Sequence, residues 1–214
     1  MQKALHGLGH PGLQVTAFDP DSVSEANLGR QLFTDCDLGQ NKALALIHRL
    51  NIAFGLDWGA IPLAYRPHQP WPDLLISCVD SKQARAGIHD RIQDGHLHYW
   101  MDLGNGADYG QVVLGQAGAS RKRLPNVADL YPEVLEGYEN DAPSCSLAEA
   151  LTHQELFINR TLSAFALHLV WSMFRRGEIR LAGCFLNLKQ MTTVPIPLRV
   201  SERPRRKHRR SRTR

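Results

Sequence analysis

Asp19-Pro20-Asp21-Ser22-Val23-Ser24-Glu25-Ala26-Asn27-Leu28-Gly29-Arg30-Gln31 follows directly on Leu13–Phe18 (LQVTAF), a short β-rich run set between Gly12 and Asp19. A continuous apolar run of that length, bounded by turn residues, reads as a buried parallel strand. The loop behind it carries three acids, an amide, an arginine and a glutamine. That is a dense set of polar chemistry for one strand end.

Working outward, His6-Gly7-Leu8-Gly9-His10-Pro11-Gly12 reads as the end of a helix and a turn. Downstream, Asp37 or Gly39 is placed to start a helix whose apolar face includes Ala43, Leu46, Ile47 and Leu50, ending near Asn51 to Gly55. Ile61 to Tyr65 is a weaker strand and Asp73 to Val79 (DLLISCV) a strong one. Ser81 then N-caps a helix to about Gln93. Leu97–Leu103 and Gln111–Leu114 read as strands, and Gly115–Ala142 as a long irregular region of the kind that usually carries function. Leu147–Arg176 is the longest helical stretch, with a break near Thr152-His153. Ala182–Leu188 is a last strand, and Pro195 and Pro197 precede a basic tail. Alternation of strand and helix is the order of a doubly wound α/β sheet, in which ligands sit at the carboxyl ends of strands. Asp19 and Asp80 each end a strand, so one pocket can draw on both.

The residue types in that pocket suit a nucleotide. A carboxylate at the end of a second strand can hold both ribose hydroxyls, and an arginine offers a rigid fork to phosphate oxygens. Lys42, close behind Gly39, supplies a point charge, and Asp80 suits Mg²⁺, which prefers hard oxygen ligands. The same residues also suit a plain polar turn, since Asp, Asn and Ser turn and cap the chain. A nicotinamide-dependent oxidoreductase would account for Asp19 but not for Arg30, Gln31 or Lys42.

The ordered set Asp19, Asp21, Val23, Asn27, Leu28, Arg30 and Gln31, then Gly39, Lys42 and Ala43, then Asp80, resembles the signature of the ThiF/MoeB/HesA family of ubiquitin-activating-type adenylating proteins. Three stretches resemble more narrowly the ThiF-like member of the PRTRC cassette: Gly9–Leu13, Phe54–Trp58 and Pro143–Ala148. The resemblance implies a Rossmann-like doubly wound fold and ATP- and Mg²⁺-dependent adenylation of the C-terminal carboxylate of a ubiquitin-like, β-grasp partner, usually by a homodimer. Carried over by position, Asp19 and Asp21 belong to the nucleotide site, with Asp19 on the ribose. Asn27, Arg30 and Lys42 would face the phosphates, Gln31 would support the loop, and Asp80 would hold the metal. Arg30, Asp80 and Cys145 would be the catalytic set, Cys145 lying near the family's acceptor thiol.

The family pattern begins with a strand and a Gly-rich nucleotide loop. This chain is expected to lack both, through a truncated gene model or genuine shortening, since Gly7, Gly9 and Gly12 precede the second strand and do not replace the loop. In the shortened form, a catalytically inactive module or dimer partner that docks a ubiquitin-like protein is the alternative to an enzyme.

The remaining composition is ordinary. The 214 residues are 43% hydrophobic and 21% charged, which suits one adenylation domain over 1–200 and a basic disordered tail over 201–214. The tail holds seven Arg and one Lys against one Glu, so removing its +7 from the overall +4 leaves about −3 on the body. Such a tail suits non-specific nucleic-acid contact, strongly dependent on salt. Cys36, Cys78, Cys145 and Cys184 form no C-x-x-C pair, which argues against a disulfide framework or a structural zinc. Cys78 and Cys184 lie in apolar runs and read as packing. His96 and His98 are explained by a turn entering a strand. No apolar stretch has the length of a membrane span or signal peptide, so the expectation is a cytoplasmic protein with no membrane partner.

Overall fold

The structure, a computed structural model, describes residues 1–66, 71–93, 98–118, 123–135 and 151–198. Two parallel βαβ units open the chain after α1 (Gln2–Gly7). In the first, β1 (Thr16–Phe18) crosses through α2 (Lys42–Phe54) to β2 (Gly59–Ile61). In the second, β3 (Leu74–Ser77) crosses through α3 (Lys82–Ile92) to β4 (Tyr99–Asn105). An antiparallel run then adds β5 (Tyr109–Gln116), β6 (Leu181–Asn187) and β7 (Thr192–Pro197), with α4 (Val127–Leu130) and α5 (Ile158–Arg176) between β5 and β6.

The α/β class is therefore as expected, and the sheet is in two pieces. β1 and β2 form one ladder, and β3-β4-β5-β6-β7 form another in that order. Among the described residues β1, β2, β3 and β7 each pair along one edge only. Ile76 of β3 and Cys78, the residue just after it, are exposed to solvent. Cys78 is thus not a core residue, contrary to the packing role expected of it. An apolar run is buried only where another layer covers it.

The central strands β4 and β5 are buried on both faces because their residues alternate between two cores. Trp100 and Val113 join Ile88 and Ile92 of α3 and Val127 of α4 on one side. Met101, Val112 and Leu114 join Ile158, Leu162, Ala166 and Val170 of α5 on the other. Along α5 the buried residues recur at helical spacing, as an amphipathic helix demands.

Several boundaries differ from expectation, each for a local reason. α2 starts at Lys42, not at Asp37 or Gly39. Asp37 closes a one-turn 3₁₀ helix by accepting from the Thr34 backbone N–H at 2.7 Å, and Gly39 has φ +77°, a left-handed conformation that a helix cannot include. Asn41 then N-caps α2, its Oδ1 accepting from the Leu44 amide at 3.1 Å. The second strand is Gly59–Ile61, not Ile61–Tyr65. The long helix is regular only from Ile158, and Leu147–Ala150 lies outside the described residues. β7 was not expected, because Pro195 and Pro197 argue against a strand. It is an edge strand, where a missing N–H can face solvent.

Leu162 is 2% exposed and Leu167, on the same helix, 51%. Leu162→Ala should lower the unfolding free energy by about 3 kcal/mol and Leu167→Ala by well under about 1 kcal/mol. Urea melts of both variants check this, and equal costs would mean that α5 does not pack on the sheet by this face.

Candidate nucleotide site

The loop after β1 is held against the start of α2 by backbone and amide bonds. Asn41 Nδ2 donates to the carbonyls of Asp19 at 2.7 Å and Asp21 at 3.0 Å, and the Lys42 amide donates to Asp21 O at 2.9 Å. Val23 and Gln40 extend the contact, the Val23 amide donating to Gln40 O at 2.8 Å. Val23, Phe33 and Ala45 then bury a small core of their own beneath the loop. One residue, Asn41, thus both caps α2 and fixes the carbonyls on either side of Pro20.

This arrangement sets Asp19, Asp21 and Lys42 together at the carboxyl end of β1, while Asp80 follows the carboxyl end of β3. Lys42 Nζ lies 2.9 Å from Asp21 Oδ2, with the lysine largely covered and the aspartate exposed. Burial pushes the Asp19 carboxyl above its ordinary pKa, and the charges of Asp21 and Asp80 push it further. The Asp21 backbone N–H, 2.9 Å from Asp19 Oδ1, and the Lys42 ammonium act the other way. Of these influences on Asp19, that of the Asp80 charge is the smallest. Three carboxylates and one ammonium give the cluster an excess of negative charge, so a triphosphate is welcome there only with a divalent cation.

The other expected site residues have structural partners. Asn27 is buried, and its Oδ1 accepts from the Ser24 amide at 3.0 Å and the Ser24 hydroxyl at 3.2 Å. The Gln31 amide donates to Asn27 O at 2.9 Å, which tightens the loop. Arg30 donates from Nη1 to Gln154 Oε1 and from Nε to Ala26 O at 3.4 Å, and partial burial lowers its pKa. Arg30 makes no ion pair among the described residues. Cys145 and the stretch Pro143–Ala148 lie outside the described residues, as does the basic tail over 201–214.

The stretches Gly9–Leu13 and Phe54–Trp58 meet each other away from the charged cluster. Trp58 Nε1 donates to Leu13 O at 2.9 Å, and Gln14 Nε2 to Asp57 O at 2.9 Å. They border an open cavity of about 350 Å³ beside Gln2 and His6. The His10 ring stands edge-on to Phe174 of α5 at 5.1 Å, tying this corner to the larger sheet.

Sequence reasoning missed a buried charged group beside Asp80. Asp102, in the middle of β4, is 0% exposed and pairs with Arg85 of α3. A charge inside the apolar run Tyr99–Leu103 needs a partner, and that was the available signal. Cys78, beside the same pair, has its thiol pushed up to about 11, by surrounding protein mass first and the Asp102 charge second. It is not a ready thiolate. No group of three or more His, Cys, Asp or Glu is placed to hold a metal among the described residues. None of the helices among them is long and apolar enough to cross a membrane.

No family model and no curated protein matches the chain. Solved structures do. E. coli MccB crystallised with MccA has a TM-score of 0.64 at 14% identity, over 88% of this chain and 57% of that one. E. coli MccB with ATP has a TM-score of 0.61 at 12% identity, over 89% and 58%. PaaA has a TM-score of 0.54 at 12% identity, over 86% and 56%. The chain thus spans a little over half the length of the proteins whose fold it shares.

Arg49 braces the loop from the other side, its Nη2 donating to Asp37 Oδ2 and its Nη1 to Leu32 O at 2.6 Å. The Arg49 bond, followed by the Thr34 amide, holds the Asp37 carboxyl below its ordinary pKa. A carboxylate with a depressed folded pKa stabilises the fold above its unfolded pKa, and the gain disappears as pH falls through the folded value. Asp37→Asn should therefore melt below the parent at neutral pH, with the gap closing below about pH 4. Thermal melts across that range check it, and a gap independent of pH would contradict the ionic brace.

Proposed function

We propose that the chain is the nucleotide-handling part of a ThiF/MoeB/HesA-type protein that adenylates the C-terminal carboxylate of a small ubiquitin-like, β-grasp partner. The observation that carries this reading is the cluster of Asp19, Asp21, Lys42 and Asp80 at adjoining strand ends, in a fold shared with a protein crystallised with ATP and with MccA. Asp19 accepts from the ribose hydroxyls and Lys42 turns its ammonium to the phosphates. Asp80 suits Mg²⁺ as a carboxylate ligand that shares the ion with phosphate oxygens, and its charge beside Asp19 is one that a cation relieves. Bound there, the ion would supply charge neutralisation. The partner's carboxylate attacks the α-phosphorus, the bond to the bridging oxygen of the β-phosphate breaks, and pyrophosphate leaves as the acyl-adenylate forms. Two anions must meet for that step, so the cationic groups lower the barrier. A homodimer and a salt-sensitive nucleic-acid contact through the tail complete the reading.

A second reading, a module that docks the β-grasp partner without chemistry, draws on the commitment of Arg30 to Gln154 and Ala26. ATP–pyrophosphate exchange with β-grasp proteins separates the two. The enzyme reading expects exchange that falls about 10²- to 10³-fold in Lys42→Ala. Partner binding in calorimetry that is indifferent to ATP and to Arg30→Ala, with no exchange, would establish the module instead.

A further inference from the structure

Asp102 accepts from Ser77 Oγ at 2.7 Å and from Arg85 Nε at 3.1 and 3.3 Å, one distance to each carboxylate oxygen. Trp100 Nε1, which can only donate, gives its proton to Ser77 Oγ at 2.7 Å. The serine hydroxyl proton is thereby directed at Asp102, so every contact of this carboxylate is one in which it accepts. Burial pushes the Asp102 carboxyl above its ordinary pKa, and the Arg85 charge followed by the Ser77 and Arg85 hydrogen bonds act the other way. Ser77 sits opposite Asp102 in the β3–β4 register, so the network bridges the last residue of β3 and the middle of β4.

The guanidinium has a second commitment. Arg85 Nη2 donates to the carbonyl of Val79, the residue immediately before Asp80. The guanidinium lies close to β4 as well, since a Cβ added at Gly104 would lie 3.3 Å from Arg85 Nη2. At the far side of the turn the Arg85 amide donates to Ser81 O at 3.2 Å, and Ser81 caps α3 through a bond from the Ala84 amide at 3.2 Å. One rigid fork thus grips the turn from β3 to α3 on one side of Asp80, while its own helix is anchored on the other. The exposed Asp80 itself is held by what lies beneath it.

We propose that Arg85, seated on the buried Asp102 carboxylate, is a positioning residue that fixes the Val79–Ser81 turn and so presents Asp80 to the metal-bound triphosphate. This rests on the reading of Asp80 given above. A planar fork is needed because two acceptors in different directions, Asp102 and Val79 O, are satisfied at once; an ammonium at the same place keeps the charge and reaches only one.

The test uses the full chain and Arg85→Lys, with Arg85→Met/Asp102→Leu as a second variant that removes the buried pair together and leaves no lone charge. Two readouts are taken: amide hydrogen exchange at 79–82, and the Mg²⁺ concentration that half-saturates ATP binding in calorimetry. Both variants should exchange faster at those amides, with exchange across α2 unchanged. The Mg²⁺ requirement should rise about tenfold, while Leu167→Ala, on the exposed face of α5 and outside the site, leaves it unmoved. Unchanged exchange at 79–82, or faster exchange with an unaltered Mg²⁺ requirement, would overturn the positioning role. Absence of Mg²⁺-dependent ATP binding by the parent chain would overturn the functional reading beneath it, a result that the variants cannot mimic.

Discussion

A single ammonium set among the acids behind β1 is the constraint on which the site depends. Asp21 and Asp80 both act on Asp19 by their charge, and Lys42 offsets part of that through its contact with Asp21 and its field at Asp19. Such a cluster persists only because the backbone holds it. Asn41 pins the carbonyls of Asp19 and Asp21, and Arg85 pins the carbonyl before Asp80. Neither device touches the carboxylates, of which Asp19 Oδ1 accepts from the Asp21 N–H, Asp21 Oδ2 pairs with Lys42, and Asp80 is exposed.

The two ladders make that presentation depend on tertiary contacts. β1–β2 and β3–β7 share no ladder bond, so the gap between Asp19 and Asp80 is not set by strand pairing. α5 spans both units: Phe174 near its end packs on His10, and Gln154 just ahead of it receives Arg30. Arg30 therefore does for the seam what the motif assigns it to do for phosphates. If a nucleotide draws the guanidinium away, the same step loosens the seam, and ligand and domain packing become linked.

Much of the fold was legible because its signals are local. Ser81 before a helical run, the β-rich Leu13–Phe18 stretch and the periodicity of α5 each follow from backbone physics over a few residues. The start of α2 was not legible, since Asp37 and Asn41 are both good caps and only the left-handed Gly39 between them decides which opens the helix. β7 was hidden because proline is excluded from central strands and accepted at edges, and edge position is a property of the whole sheet. At the site, Asp19 and Asp80 were read from the strand ends they follow, which needs only local sequence. The partners of Arg30 and Asp102 lie 124 and 17 residues away, and spacing carries no information about them. Cys78 went wrong for the same kind of reason: the run it belongs to is apolar, and whether another layer covers a position is not written in the local sequence.

The account stands on one place in the fold receiving nucleotide and divalent cation together. Paramagnetic broadening of backbone amide signals by Mn²⁺·ATP reads that place directly. The account predicts broadening that begins jointly at the amides of 19–22, 42 and 80–82 and spares the corner formed by Gln2, His6 and Trp58. Broadening centred on that corner, or spread evenly over the acidic surface, would contradict it.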